Sequence, residues 1–257
     1  MSRISNVFAR GRKVFVAYLT AGDPNPEATP ELVAALERGG ADLIELGVPF
    51  SDPIADGPVI QAASARALAA GTTLGRVLEI AKAIRERSEI PLLLFTYMNP
   101  VVRYGFEALA RDAKAAGIDG CLITDLSVEE AEDFVGVMRR AELDTVFLAA
   151  PTSSTRRLDL VARYSTGFIY AVSRTGVTGE REQLAQSAAP LLDALRARTK
   201  MPLALGFGIA NGDQARAAAA HADGVVVGSA IVRAIEKGAD VEALARSIRL
   251  GLDDEGS

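Results

Sequence analysis

What the sequence lacks narrows its chemistry before any pattern is read. Among 257 residues there is one cysteine (Cys121), one histidine (His221), no tryptophan and only five lysines. A single cysteine forms no intramolecular disulfide, which suits a reducing compartment and leads us to expect a cytoplasmic protein. A single histidine excludes most zinc clusters, histidine-based metal triads, and Ser-His-Asp or Cys-His dyads. Acid–base work is left to carboxylates, tyrosine, lysine or the substrate itself. Positive charge is also short: 28 Lys and Arg stand against 33 Asp and Glu, a net charge of −5. With no basic stripe carrying interleaved aromatics, that balance argues against a nucleic-acid ligand. The longest apolar runs, residues 92–95 and 224–232, are too short to cross a bilayer. The first 13 residues carry Arg3, Arg10 and Arg12 but no apolar segment of a signal peptide. Ile4, Val7 and Phe8 instead predict a short amphipathic helix. His221 is expected on the surface and Cys121 in the core.

What is present is ordinary globular composition, 49% hydrophobic and 24% charged. Strand-like runs fall at residues 14–19, 42–46, 91–96, 120–124, 145–149, 167–171, 202–206 and 224–227. Each is short, rich in Val, Ile and Leu, and free of clean polar alternation, as in parallel strands covered on both faces. Helical spacings lie between them, as in Ala131, Phe134, Val135 and Met138, or Val241, Leu244, Ala245 and Ile248. Ser127 with Glu130 reads as a capping box, and Asn211 with Gln214 as a looser one. Eight strand–helix units of ~30 residues match βα crossovers. Two architectures compete, a closed (β/α)8 TIM barrel and a doubly wound open sheet, and the count favours the barrel. We expect one domain over residues 1–257, an extra N-terminal helix, a flexible tail at 253–257, and long loops after strands 2 and 6, at 47–58 and 173–190.

Barrel chemistry sits where strands end. Strand 2 ends in Leu43-Ile44-Glu45-Leu46-Gly47. If Leu43 points into the barrel, so does Glu45, because side chains alternate with period two. A carboxylate buried there has a raised pKa and can act as acid and base in turn; the alternative is a salt-bridged core residue. In the following loop, stiffened by Pro49, Pro53 and Pro58, Asp52 and Asp56 either reach over the mouth or serve as turn residues. Strand 7 runs into Gly206-Phe207-Gly208 and strand 8 into Gly228-Ser229, which opens a helix. Glycines that bare backbone N–H groups beside a helix start, on consecutive strands, mark a phosphate site. None of Lys13, Lys82, Lys114, Lys200 and Lys237 ends a strand, so a Schiff-base aldolase mechanism has no nucleophile. Carbon–carbon cleavage here needs an electron sink within the substrate.

The stretch Glu45-Leu46-Gly47-Val48-Pro49-Phe50-Ser51-Asp52-Pro53, continued by Ala55-Asp56-Gly57-Pro58, resembles the signature of the tryptophan synthase α subunit. Tyr18-Leu19-Thr20-Ala21-Gly22-Asp23-Pro24 is similar to that family's first loop, and Ser173-Arg174-Thr175-Gly176-Val177-Thr178-Gly179 to its mobile loop after strand 6. Gly206-Phe207-Gly208-Ile209 and Gly228-Ser229 match its phosphate site. The resemblance implies cleavage of indole-3-glycerol phosphate to indole and glyceraldehyde 3-phosphate, with the protonated indole ring as the electron sink. By matched position it makes Glu45 the proton donor to indole C3 and acceptor from the side-chain hydroxyl, and Asp56 the partner of the indole N–H. It makes Tyr170 a substrate contact and has Thr178 lock the lid onto Asp56. Gly179, Gly208, Gly228 and Ser229 would hold the phosphate, and Phe95, Tyr97, Leu122, Leu148 and Phe207 would surround the indole; as bare residues all five can also be read as barrel core, and for Leu122 and Leu148 the two readings weigh evenly.

The resemblance also implies a partner, a β subunit that carries pyridoxal phosphate and receives the indole in an αββα heterotetramer. This chain would then bind no pyridoxal phosphate, and would meet its partner through the loop after strand 2 and the Asn99-Pro100 region. Ser127 stands where that family has a proline next to the partner, and Thr124 is a polar variant in the indole pocket. Two other readings compete: a sugar-phosphate isomerase on the same scaffold, and an inactive regulatory subunit. The pairing of Glu45 with Asp56 argues against both.

Overall fold

Runs of Val, Ile and Leu without polar alternation leave a strand no wet face, and all the expected strands form and lie parallel. The structure, a computed structural model, describes residues 2–172, 181–206 and 208–254, with 181–187 described by their backbone alone. The strand segments are β1 (Val14–Thr20), β2 (Leu43–Gly47), β3 (Leu92–Thr96), β4 (Gly120–Ile123), β5 (Asp144–Thr145), β6 (Phe147–Ala149), β7 (Ile169–Val172), β8 (Leu203–Gly206) and β9 (Gly224–Val227). The helices are α1 (Arg3–Phe8), α2 (Thr29–Arg38), α3 (Pro58–Ala69), α4 (Leu74–Arg85), α5 (Met98–Tyr104), α6 (Phe106–Ala115), α7 (Glu132–Arg140), α8 (Thr155–Tyr164), α9 (Arg181–Arg196), α10 (Gly212–Ala219), α11 (Ser229–Glu236) and α12 (Val241–Asp253).

The ladder runs β5-β4-β3-β2-β1-β9-β8-β7-β6. Its two ends, β5 and β6, are consecutive pieces of one stave, joined through Val146, whose N–H donates to the Cys121 carbonyl at 3.1 Å. The sheet therefore closes on itself as an eight-stave (β/α)8 barrel, and the open-sheet alternative falls. The break at Val146 corrects the single strand expected over residues 145–149. The lower piece pairs with β4 and the upper piece with β7.

Period-two alternation fills the barrel. Val14, Val16, Leu43, Leu93, Leu122, Val146, Phe168, Ala204 and Val226 form one buried inner cluster. The expected N-terminal helix, α1, closes its lower end: Ile4 and Val7 are buried in the same cluster, and Phe8 meets Phe168 with ring centroids 5.4 Å apart. The alternate positions, such as Phe15, Ala17 and Leu19 on β1, face the helices in a second, larger cluster.

Two local expectations change. Ser127 does not cap a helix: its hydroxyl donates to Glu129 Oε2 at 2.5 Å, residues Val128–Glu130 form a 3-10 turn, and α7 starts at Glu132. The near carboxylate of Glu129, itself paired with Arg157 at 3.5 Å, outcompetes the backbone N–H there. The loop after β7 ends sooner than residue 190, because α9 begins at Arg181 and carries Pro190 inside it. Ala188, Leu191, Leu192 and Leu195 are buried at helical spacing, and that burial outweighs the proline's missing donor. Asn211 does cap α10, accepting from the Gln214 N–H at 3.0 Å, while Gln214 Oε1 accepts from the Ala210 N–H at 2.7 Å.

An aspartate recurs just before a strand at the lower end. Asp42, Asp119 and Asp223 each accept a backbone N–H from the first or second residue of the preceding barrel strand, from Phe15 at 2.9 Å, Leu92 at 2.9 Å and Leu203 at 2.8 Å. Each also meets an arginine from a surrounding helix: Arg249, Arg85 and Arg196. These carboxylate clips fasten neighbouring staves. Asp42 is 4% exposed and Arg249 7%. Asp42→Ala leaves the Phe15 N–H without its acceptor and Arg249 with one carboxylate, Asp253 at 2.7 Å, where it had two, so it should cost about 3 kcal/mol in urea unfolding. Turnover of the folded variant should stay near normal.

Candidate active site

The same alternation that fills the barrel floor decides what stands at its upper, C-terminal mouth. On β1 the inward series Val14, Val16 continues to Tyr18; on β2 Leu43 continues to Glu45; on β3 Leu93 continues to Phe95. Tyr18 and Glu45 are ladder partners, and Leu93 faces Glu45 from the other side. Glu45 is 1% exposed, and neither carboxylate oxygen has a hydrogen-bond partner. Among the described residues no cation pairs with it, which argues against the salt-bridged core alternative. Burial pushes its pKa up to about 8, so it holds its proton at neutral pH.

The loop over residues 48–57 brings a second carboxylate to the mouth. Asp56 takes a hydrogen bond from the Tyr97 hydroxyl, which also accepts the Ala55 N–H at 3.1 Å. Tyr97 in turn lies against Phe50, ring centroids 5.3 Å apart. One buried tyrosine thus pins the proline-stiffened loop at two points. Burial pushes Asp56 up to about 6, with the Tyr97 bond pulling the other way, so it is ionised at neutral pH. Two carboxylates held in opposite protonation states are the arrangement that acid–base chemistry needs. Asp52 is an exposed turn residue that accepts from Ser51 at 2.8 Å.

Leu122 belongs to the inner cluster, and Phe95, Leu148 and Tyr170 pack against it. Burial and the nearby Glu45 push the Tyr170 hydroxyl well above its ordinary pKa. Gly208 has φ +33°, with open space where a side chain would be. Gly228 caps α11, and Ser229 is that helix's first residue, directly after β9. The unpaired N–H groups of a first turn face outward there. Thr178, Gly179 and Phe207, also expected in the site, lie outside the described residues.

Tyr18 and Thr20 went unread in the sequence as site residues. The Tyr18 hydroxyl lies 3.3 Å from Thr20 Oγ1, its ring stands edge-on to Phe95 at 5.2 Å, and burial raises its pKa, helped by Asp56 and Glu45. The signal was available: Tyr18 is two residues beyond Val16 in a strand whose inward set is already fixed. Glycine supplies the room. A Cβ at Gly47 would sit 2.3 Å from the Tyr18 hydroxyl, and one at Gly206 would sit 2.3 Å from the Tyr170 hydroxyl.

Comparison with known proteins now bears on this geometry. The family model described as tryptophan synthase alpha chain matches residues 4–250. This chain belongs to the tryptophan synthase alpha chain family. A tryptophan synthase alpha chain of Solibacter usitatus is 64% identical over 248 residues, 95% of this chain and 93% of that one. That of Geotalea uraniireducens is 51% identical over 241 residues, 92% of this chain and 90% of its own. Among solved structures, tryptophan synthase subunit alpha from Legionella pneumophila superposes with a TM-score of 0.90 at 36% identity, covering 99% of both chains. As a member of this family, the chain is a carbon–carbon lyase of tryptophan biosynthesis. Lys13 and Lys200 precede β1 and β8, Lys82 and Lys114 lie in α4 and α6, and Lys237 ends α11, so no described strand end offers an amine for a Schiff base.

Proposed function

We propose that Glu45 and Asp56 divide between them the family's reaction, cleavage of indole-3-glycerol phosphate to indole and glyceraldehyde 3-phosphate. The observation that carries this reading is the Glu45 carboxyl, buried without a hydrogen-bond partner at the barrel mouth and protonated at neutral pH. Glu45 gives its proton to indole C3, making an indolenine whose positive charge spreads over C2 and N1. Ionised Asp56 accepts the N1–H and stabilises that charge. The Glu45 carboxylate then takes the proton of the side-chain hydroxyl next to the ring. The C–C bond to the ring breaks, its electrons enter the C=N system, and indole and the aldehyde leave. Glu45 ends the cycle protonated, as it began.

Gly208, Gly228 and Ser229 hold the phosphate, joined by Gly179. Phe95, Tyr97, Leu122, Leu148, Phe207 and Tyr170 enclose the ring, and Thr178 closes over Asp56. Indole passes to a β subunit in an αββα heterotetramer, and pyridoxal phosphate resides in that partner, not in this chain. The partner meets the loop after β2 and α5, a reading supported by two bare apolar side chains there, Ile54 at 84% exposed and Val102 at 58%. The cytoplasm is the compartment proposed.

The test is the pH dependence of indole release, followed by indole fluorescence in a chain that has no tryptophan of its own. With Asp56 at about 6 and Glu45 at about 8, kcat/KM should be bell-shaped between those values. It falls in acid as Asp56 gains a proton and in alkali as Glu45 loses one. A profile flat from pH 5 to pH 9 would show that neither carboxyl does this work.

A further inference from the structure

The barrel wall is not hydrogen-bonded all the way up. β4 pairs with β5 and β7 pairs with β6, but among the described residues no ladder pair joins β4 to β6. Above Val146, therefore, the wall between these staves consists of side chains alone. A cavity of about 220 Å³ occupies that seam, with Ile123 and Thr124 on one side, Phe147 and Leu148 on the other, and Val128 on its wall. Leu148 packs against the inner cluster, whereas Ile123, Phe147 and Val128 belong to the outer core. The cavity thus leads from the mouth into the wall. Its polar neighbours are already engaged: Ser153 Oγ accepts the Ala150 N–H at 3.1 Å, and Arg157 donates to Ser127 at 3.2 Å. Thr124 Oγ1 likewise donates to the Thr96 carbonyl at 3.2 Å, so the lining is mixed, with the apolar side chains of Ile123, Val128, Phe147 and Leu148 beside these engaged polar groups.

Stave order fixes what faces this seam, given the substrate orientation proposed above, on which this inference rests. The phosphate end lies over β8 and β9, and in an eight-stave circle β3 and β4 lie diametrically opposite. A substrate anchored at β8–β9, with C3 and N1 of its ring turned to Glu45 and Asp56 on the β2 side, extends its benzene edge toward β4 and β6. That edge meets the seam.

We propose that the seam is a subsite for substituents on the benzene edge of the indole ring, at C5 and C6. Small apolar groups, a methyl or a halogen, fit there. At roughly 30 Å³ for a water-sized group, the volume accommodates them without moving the wall. The enzyme accordingly turns over the 5-bromo substrate with a kcat/KM within about fivefold of the parent, where a closed pocket would discriminate by 10- to 200-fold against one extra group.

Two measurements test this. In the first, kcat/KM is compared for the parent and 5-bromo substrates in wild type, Val128→Leu and Val128→Phe. Val128 is absent from the catalytic set and its side chain borders the seam. Filling the seam should leave parent turnover within about twofold and lower 5-bromo turnover tenfold or more in Val128→Phe, with Val128→Leu between. Parent turnover reports that each variant is folded, and Val128→Leu keeps the comparison alive if the larger residue is not accommodated. Wild type rejecting the bromo substrate 100-fold, or the variants lowering both substrates alike, would overturn the proposal. In the second, crystals of Glu45→Gln with the 5-bromo substrate locate the bromine by anomalous scattering. A peak between Thr124 and Phe147 supports the subsite. A peak elsewhere, with the phosphate still over β8–β9, overturns the subsite alone; a phosphate away from those strands overturns the orientation and the subsite together.

Discussion

Glu45→Gln should abolish indole release while leaving substrate affinity almost unchanged. The amide keeps the shape and burial of the side chain but neither delivers nor takes the proton. Because one carboxyl serves both transfers, the loss should exceed the 10²–10⁴-fold typical of a single general acid or base at its lower end, and we expect at least 10³-fold in kcat. The dissociation constant of the substrate should move by less than about threefold. A variant that keeps a tenth of the turnover would remove Glu45 from the mechanism. The same substitution should also stabilise the protein, and the sign follows from burial. The native carboxyl releases its proton only near pH 8, against an ordinary value of 4.5, so the unfolded chain gives it up more readily. Stability that is complete below pH ~4.5 is therefore lost as pH rises toward 8. Glutamine has no such loss. Glu45→Gln should match wild type in urea unfolding at pH 4 and exceed it by roughly 3–5 kcal/mol at pH 9. Equal stability at both pH values would show that the carboxylate finds solvation which the static geometry does not provide.

Asp56→Asn should lower kcat by about 10²–10³-fold, the usual consequence of removing one preorganised group from a developing charge. Its diagnostic is the pH profile. The acid limb near pH 6 belongs to Asp56 and should vanish, whereas the alkaline limb near pH 8 belongs to Glu45 and should remain. Loss of both limbs together would mean that the two carboxyls titrate as one unit. The asparagine still accepts a bond from Tyr97, so the loop stays pinned and the defect can be assigned to charge, not to loop collapse.

Much of this was legible in the sequence because it rests on period. The eight strands, the inward direction of Glu45, and the glycines closing β8 and β9 all follow from alternation and from where glycine is needed. The identity of the electron sink did not follow from residues alone; it came from the resemblance of ordered motifs. Other features lay beyond reach for physical reasons. The break at Val146 reflects how two neighbouring ladders share one stave, which no local run of residues encodes. Ser127 lost its capping role to Glu129, a competition between two near-degenerate hydrogen bonds. Pro190 looked like a loop residue because a proline signal is local, whereas the burial of Leu191 and Leu195 that overrides it is tertiary. Tyr97 was read as a wall of the indole pocket, but its hydroxyl also ties down the loop that carries Asp56. A hydroxyl's partner across 41 residues is invisible to spacing.

The aspartate clips have a bearing on how such a protein changes. Asp42, Asp119 and Asp223, with their arginines, sit at one rim, and every described residue assigned to chemistry sits at the other. The two sets share no side chain. Drift among the residues that choose a ligand therefore leaves the fasteners of the staves untouched, and loss of a fastener does not alter which ligand is chosen. A library confined to the mouth starts each member from the same mechanical foundation, so its failures report on recognition and not on folding. In that sense the barrel separates heritable shape from heritable specificity, and selection can act on one without disturbing the other.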